Sequence, residues 1–416
     1  MDIISRVERI SLYVFLFTVP FEMWLPFGAD ENYSVSRLAG FVYFATLLPR
    51  LLWFFKTNRI QSFLLPIWLF FGLMTLVSLY NINPLSDWFF HSSMFQCMIL
   101  FWVLVNHERQ DRLILEKGML CFALGMAVLA VLFSVGVGFQ YIEGRAVIFG
   151  ENQNVIGTKM SIALIVLLLA IIQNRLGLRP TTRVLLILPI PVMMRALAET
   201  GSRVAFISFG AAFIVGVLLF RTKKVWGKVA AFVVGVGASI PVWQFLMESE
   251  TMANRLALTA EKGDLSGRDA IWEALVPLVK SNPIFGVGLS GLEHFSKIHM
   301  LTQPHNVFLE VMCYTGVVGL ALYLTYMYRV VKQSYQLYKA DGILLPMLLL
   351  SPVFGLLLSG QILEVKIGWV IFAYIVGSSI LKTAKKNINY SNPASASKNS
   401  LRKRPFGSRM RSMRIG

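Results

Sequence analysis

Charged side chains are scarce in this sequence: Asp, Glu, Lys and Arg make up 15% of its 416 residues, against about 25% in soluble domains. That shortage excludes an ordinary soluble protein, whose water-facing surface needs many more of them. Apolar residues reach 56% of the chain and the mean hydropathy is +0.63. A soluble core of this length could not hide so much apolar surface, whereas a bilayer solvates it. Cysteine is rare as well. Cys97, Cys121 and Cys313 all lie in apolar runs, and no pair has metal-ligand spacing or sits where a disulfide framework would form. They read as small core residues. Also missing are an internal repeat, a glycine-rich nucleotide loop and a paired-carboxylate motif.

What fills the chain instead is a series of apolar stretches. About 20 residues cross the hydrocarbon of a bilayer, and stretches of that kind lie near 9–27, 37–55, 61–80, 89–105, 118–137, 157–173, 184–199, 203–220, 228–246, 306–328, 343–360 and 366–381. The expected fold is an all-α polytopic membrane protein of about twelve transmembrane helices spanning 1–381, with a partly helical loop at 247–304. The start resembles a signal peptide, but Pro20, Glu22 and Trp24 stand where a cleavage site would be, so it reads as a retained first helix.

Lys and Arg set the orientation. With the N-terminus inside, 28 of the 39 fall on the cytoplasmic side and 11 on the other; without the ten in 382–416 the split is still 18 to 11. Both termini are therefore expected in the cytoplasm. The 382–416 tail has no Asp or Glu, so it is expected to be disordered and to lie against anionic lipid. It lacks the aromatic-rich pattern of a base-stacking surface, and no nucleic-acid partner is expected.

Chemistry-bearing residues concentrate on the outer side. The 247–304 loop holds five Lys or Arg against seven Asp or Glu, and an ordered loop this long is usually functional. Arg145, Arg195, Arg203 and Arg268 face the same side. An arginine at membrane depth is costly, so it lines a polar cavity or pairs, snorkelling and a Glu199 partner being the plain alternatives. Its planar fork suits phosphate. His294, His299 and His305 are spaced five and six apart with no acidic residue close enough to complete a zinc set, so no metal is expected. His305 precedes Asn306 and an unbroken apolar helix. It either anchors that helix or, as an imidazole, takes a proton from a hydroxyl near neutral pH.

Four segments together carry a family resemblance: Arg145 through Gly150 to Asn154 and Gly157; Thr200-Gly201-Ser202-Arg203; Ser266-Gly267-Arg268 to Trp272, with Asn282-Pro283 and Gly286-Val287-Gly288; and His305-Asn306, with Gly316 and Gly319 after it. In this order the chain resembles the O-antigen ligase and O-antigen polymerase superfamily over roughly 140–330. Gln153 departs from the proline that relatives often carry before Asn154. The resemblance implies a glycosyltransferase with no cofactor and no metal, drawing on a glycan carried by undecaprenyl diphosphate. Arg203 and Arg268 would hold the diphosphate, and His305 would orient or deprotonate the acceptor hydroxyl. Arg145, Asn154, Arg195 and Asn306 would shape the substrate cavity, and the active site would face the periplasm.

Two activities share those motifs. A ligase moves the glycan to lipid A-core in lipopolysaccharide biosynthesis; a polymerase moves it to another lipid-linked repeat unit. The single moderate outer loop with His305-Asn306 favours the ligase. A lipid-linked glycan flippase or other transporter fits less well, because polar residues gather at one face rather than at the midplane where a transport site belongs.

Overall fold

A computed structural model describes residues 3–27, 34–54, 58–80, 87–108, 111, 113–142, 144–220, 253, 254, 257, 261, 267–301, 304–358 and 363–391. In chain order these form α1 (Ile3–Thr18), α2 (Val35–Phe54, with a 3-10 turn at Leu48–Arg50), α3 (Asn58–Leu79), α4 (Trp88–Glu108) and α5 (Ile114–Ser134). A hairpin of β1 (Phe139–Ile142) and β2 (Arg145–Ile148) follows, then α6 (Gln153–Ile172), α7 (Pro180–Leu185), α8 (Ile190–Glu199) and α9 (Arg203–Leu219). After the 221–266 stretch come α10 (Arg268–Ser281), α11 (Gly288–Ile298), α12 (Val307–Asp341), α13 (Leu345–Leu357) and α14 (Lys366–Ser391).

Seven stretches among the described residues are helices long and apolar enough to cross a membrane: α2, α3, α4, α5, α6, the α7–α8 pair and α12. Arg203–Leu219, Leu345–Leu357 and Lys366–Ser379 are shorter apolar helices, and α1 has 16 residues. The expected span at 228–246 lies outside the described residues, as do most of 247–266 and the tail from 392 onward. Leu52, Leu65, Leu76, Phe89, Ile207, Ile214 and Leu218 project outward from the helices, the reverse of a soluble surface and the kind of face that lipid covers. The chain is a multi-pass membrane protein.

The all-helical expectation needs one correction. β1 and β2 pair antiparallel, Phe139 opposite Ile148 and Ile142 opposite Arg145, closed by Gly144 at φ +72°. Strands of four residues are too short to register as apolar stretches. Two helix ends also differ. α14 continues to Ser391, into the stretch read as tail. α12 runs past 328 to Asp341 and stops at Gly342, whose φ of +71° makes a left-handed cap. Basic residues at 329–339 mark where a chain leaves lipid, not where a helix unwinds.

Polar contacts gather at two opposite ends. At one end Arg50 pairs with Glu8 at 3.1 Å, Arg9 and Lys117 pair with Asp111 at 3.6 and 3.1 Å, and Arg175 pairs with Glu116 at 2.6 Å. At the other end the helices begin on polar caps. Ser34 accepts from Arg37 N, Asn152 from Asn154 N, Ser202 from Ala205 N, and Asn306 from Phe308 N and Leu309 N. Those caps satisfy amides that would otherwise be orphaned, and they leave several positive helix ends on one face.

α12 is interrupted where the 282–288 segment crosses it. Gly316 sits at φ 63°, ψ −162°, a conformation open almost only to glycine. Val287 N donates to Cys313 O at 2.7 Å and Val317 N to Pro283 O at 2.9 Å. A side chain at Gly316 would collide with the Ile284 backbone, and one at Gly286 with Cys313 and Thr315. Gly316→Ala is therefore expected to destabilise the protein by about 1–3 kcal/mol from backbone strain alone. Thermal unfolding in detergent reads this out. Gly72→Ala, where an added methyl meets nothing within 4 Å, is the control and should melt like the parent.

Candidate functional site

The capped end holds the arginines singled out in the sequence, and it divides into two linked parts. In the first, Arg145 on β2 donates from Nε to the Thr200 carbonyl at 3.0 Å and from Nη2 to Asn154 Oδ1 at 3.1 Å. Ser202 Oγ donates to the same Asn154 oxygen at 3.1 Å. One asparagine at the start of α6 thus joins the hairpin to the turn between α8 and α9. The turn packs tightly on α6, because Gly157 leaves no room for a side chain against Ser202, Ala205 and Thr200. Arg203, half-buried, is the first residue of α9 beyond that turn.

Arg195 does not join this network. It is exposed on α8, within electrostatic reach of Tyr141, whose hydroxyl donates to Glu199 at 3.2 Å. Partial burial and the Glu199 carboxylate raise the Tyr141 phenol above its ordinary value, and the Arg195 charge opposes them.

In the second part, Gly267 at φ +71° turns the chain into α10, so that Arg268 is its first residue. Arg268 Nη1 donates to Leu358 O, just past α13, at 3.2 Å. One turn down the same helix, Trp272 Nε1 donates to Pro304 O at 2.8 Å. α10 is thereby fastened both to the end of α13 and to the residue preceding His305. His305 is half-buried at φ +51°, a backbone state uncommon for any residue but glycine. The adjoining Asn306 spends its side-chain oxygen on the first amides of α12, at 3.1 and 3.3 Å.

The C-terminal end of α13 links the parts. Gly355 abuts Val204 and Ser208 of α9, where a methyl would lie 3.2 Å from Val204 Cγ1, and Leu358 beyond it receives Arg268. Arg203 and Arg268 thus flank one helix end, each at the start of its own helix. Two guanidinium groups and two positive helix ends together suit an anion with several oxygens, such as a diphosphate. His294 on α11 and His299 just past its end are exposed, the His299 ring 4.2 Å from that of Phe295. Among the described residues, no group of three or more His, Cys, Asp or Glu is placed to hold a metal ion.

Sequence reasoning missed the backbone acceptors at Thr200, Pro304 and Leu358, which carry no residue-type signal. It also treated Asn306 only as a substrate contact, although Asn before an apolar helix is a capping signature. No curated protein matches the chain in a sequence search. Residues 192–324, which carry Arg195, Arg203, Arg268, His305 and Asn306, match the family model described as O-antigen ligase. That match supports the resemblance to the O-antigen ligase superfamily over those residues.

Proposed function

We propose that the chain transfers a glycan from undecaprenyl diphosphate to a sugar hydroxyl of lipid A-core, at the periplasmic face of a bacterial inner membrane. The reading rests on one observation above all. Arg203 and Arg268 start two helices around the end of α13, and Trp272 ties the second of these helices to Pro304, beside His305. In the transfer, the acceptor oxygen attacks the anomeric carbon of the donor sugar. The bond from that carbon to the diphosphate oxygen breaks, and the diphosphate leaves with the electron pair. Arg203 and Arg268 neutralise the charge that grows on it. His305 takes the hydroxyl proton as the new bond forms. Arg145, through Asn154 and the Thr200 carbonyl, fixes the turn that carries Arg203. The ion-paired, basic end of the bundle then faces the cytoplasm and its anionic lipid.

A strain lacking the chain tests the ligase assignment through its lipopolysaccharide on a gel. The expected result is loss of all polymer on lipid A-core, with polymer still built on the carrier lipid. A single repeat unit remaining on lipid A-core would make the enzyme a polymerase. An unchanged ladder would contradict both.

A further inference from the structure

A cavity of about 350 Å³ opens at the same end of the bundle, on the other side of the α6 start. Glu151, Asn152 and Val155 line it, while Asn154 of the same turn faces Arg145 and Ser202. Across it stand Glu22, Arg37, Gln96, Ser93, Glu364 and Lys366, with Phe15, Phe41 and Phe44 adding apolar wall. Lys159, fully buried, reaches up from α6 to bond Glu151 and to approach Glu22 at 3.4 Å; Lys366 bonds Glu22 in turn.

The charges balance, with Glu22, Glu151 and Glu364 against Arg37, Lys159 and Lys366. A free anion would meet three carboxyl groups there, and a free cation would meet Arg37 and Lys366, with Lys159 behind Glu151. A neutral ligand that both donates and accepts hydrogen bonds meets partners on every side. Burial, and the Glu22 charge beside it, push the Glu364 carboxyl up to about 7, so near neutral pH it can act either way. Ser36 lines the cavity, fully buried, and its hydroxyl has no hydrogen-bond partner among the described residues. A buried hydroxyl left so is costly unless a ligand or water completes it. The volume is at the lower end of the ~300–1,000 Å³ of small-molecule pockets, room for a short saccharide and not for a polymer. Aromatic walls suit the C–H face of a sugar ring, and the polar rim suits its hydroxyls.

We propose that this cavity is the subsite for the terminal sugar of the acceptor. The assignment to acceptor, not donor, follows from position and charge. The donor diphosphate needs a net positive site, which Arg203 and Arg268 supply elsewhere. Glu364 lies within electrostatic reach of Glu310, which sits in the first turn of α12, its amide bonded to Asn306 O at 2.9 Å. One residue of the cavity wall, Glu364, is thus within electrostatic reach of the first turn of the helix that begins beside His305. The acceptor assignment rests on the glycosyltransferase reading; saccharide binding in the cavity does not.

Gln96→Ala and Ser93→Ala, purified in detergent with melting unchanged, are expected to raise the acceptor KM about tenfold each, the size of one lost hydrogen bond. The donor KM and kcat should stay close to those of the parent. A rise in donor KM, or no change in either, would overturn the acceptor subsite. A second measurement needs no turnover. Ser93→Cys, in a chain whose Cys97, Cys121 and Cys313 are alanine, is labelled with a small thiol reagent. Core oligosaccharide released from lipopolysaccharide by mild acid should slow the labelling at least tenfold, and inorganic diphosphate should not. Protection without any transfer activity would leave the saccharide site standing and sink the proposed function. Protection by diphosphate alone, or by neither probe, would sink the saccharide site.

Discussion

Arg268→Ala is expected to lower glycan transfer by about 10²–10³-fold, the scale of removing one donor that stabilises developing negative charge. Arg203→Ala should do the same. Each guanidinium begins a helix, so its removal also weakens the anion-binding helix end it extends. A structural role makes a different forecast for Arg268, because its bond to Leu358 O fastens α10 to α13. That bond is exposed to solvent, worth about 1 kcal/mol, so thermal unfolding should shift little while donor binding collapses. Arg268→Lys keeps the charge without the fork and should recover little activity. Unfolding that falls in step with activity would assign Arg268 to scaffolding. Near-normal activity in either alanine variant would remove it from the donor site.

His305→Ala is expected to cost about 10²–10⁴-fold in turnover while lipid-linked donor still binds, since Arg203 and Arg268 remain. His305 holds a positive φ of 51° beside the Pro304 carbonyl that Trp272 grips, so its place is set by the loop and not by helix capping, which Asn306 performs. Replacing it should therefore leave the start of α12 intact. His294→Ala and His299→Ala, at exposed positions in and just past α11, should transfer glycan like the parent. His305→Ala protein with normal rate per folded molecule would make His305 structural and put the base elsewhere.

Much of this architecture was legible in the sequence because the dominant force is one-dimensional. Runs of apolar residues long enough for a bilayer mark helices wherever they occur, and α3 through α6 lie within a few residues of the expected stretches. The four motif segments were legible for the same reason: each is local, and the structure gathers all of them at one end. The network of Glu22, Glu151, Lys159 and Lys366 was not. Its members are scattered across the chain, each a lone charge in or beside an apolar run, and only packing makes them partners. The break at Gly316 escaped too, since Gly316 and Gly319 also occur in straight membrane helices. What demands it is the backbone of Ile284 pressed against α12, a tertiary fact with no local signature. Arg195 illustrates a different limit. Its residue type and position matched the other arginines, but its side of α8 turns it outward.

The most direct test of the central claim is reconstitution of the purified chain in nanodiscs with an undecaprenyl-diphosphate-linked glycan and lipid A-core acceptor, followed by product analysis. The account predicts glycosylated lipid A-core together with free undecaprenyl diphosphate in equal amounts, and neither product from the Arg203→Ala or His305→Ala protein. An intact donor after prolonged incubation with folded protein and both substrates, or product formed equally well by those variants, would contradict it.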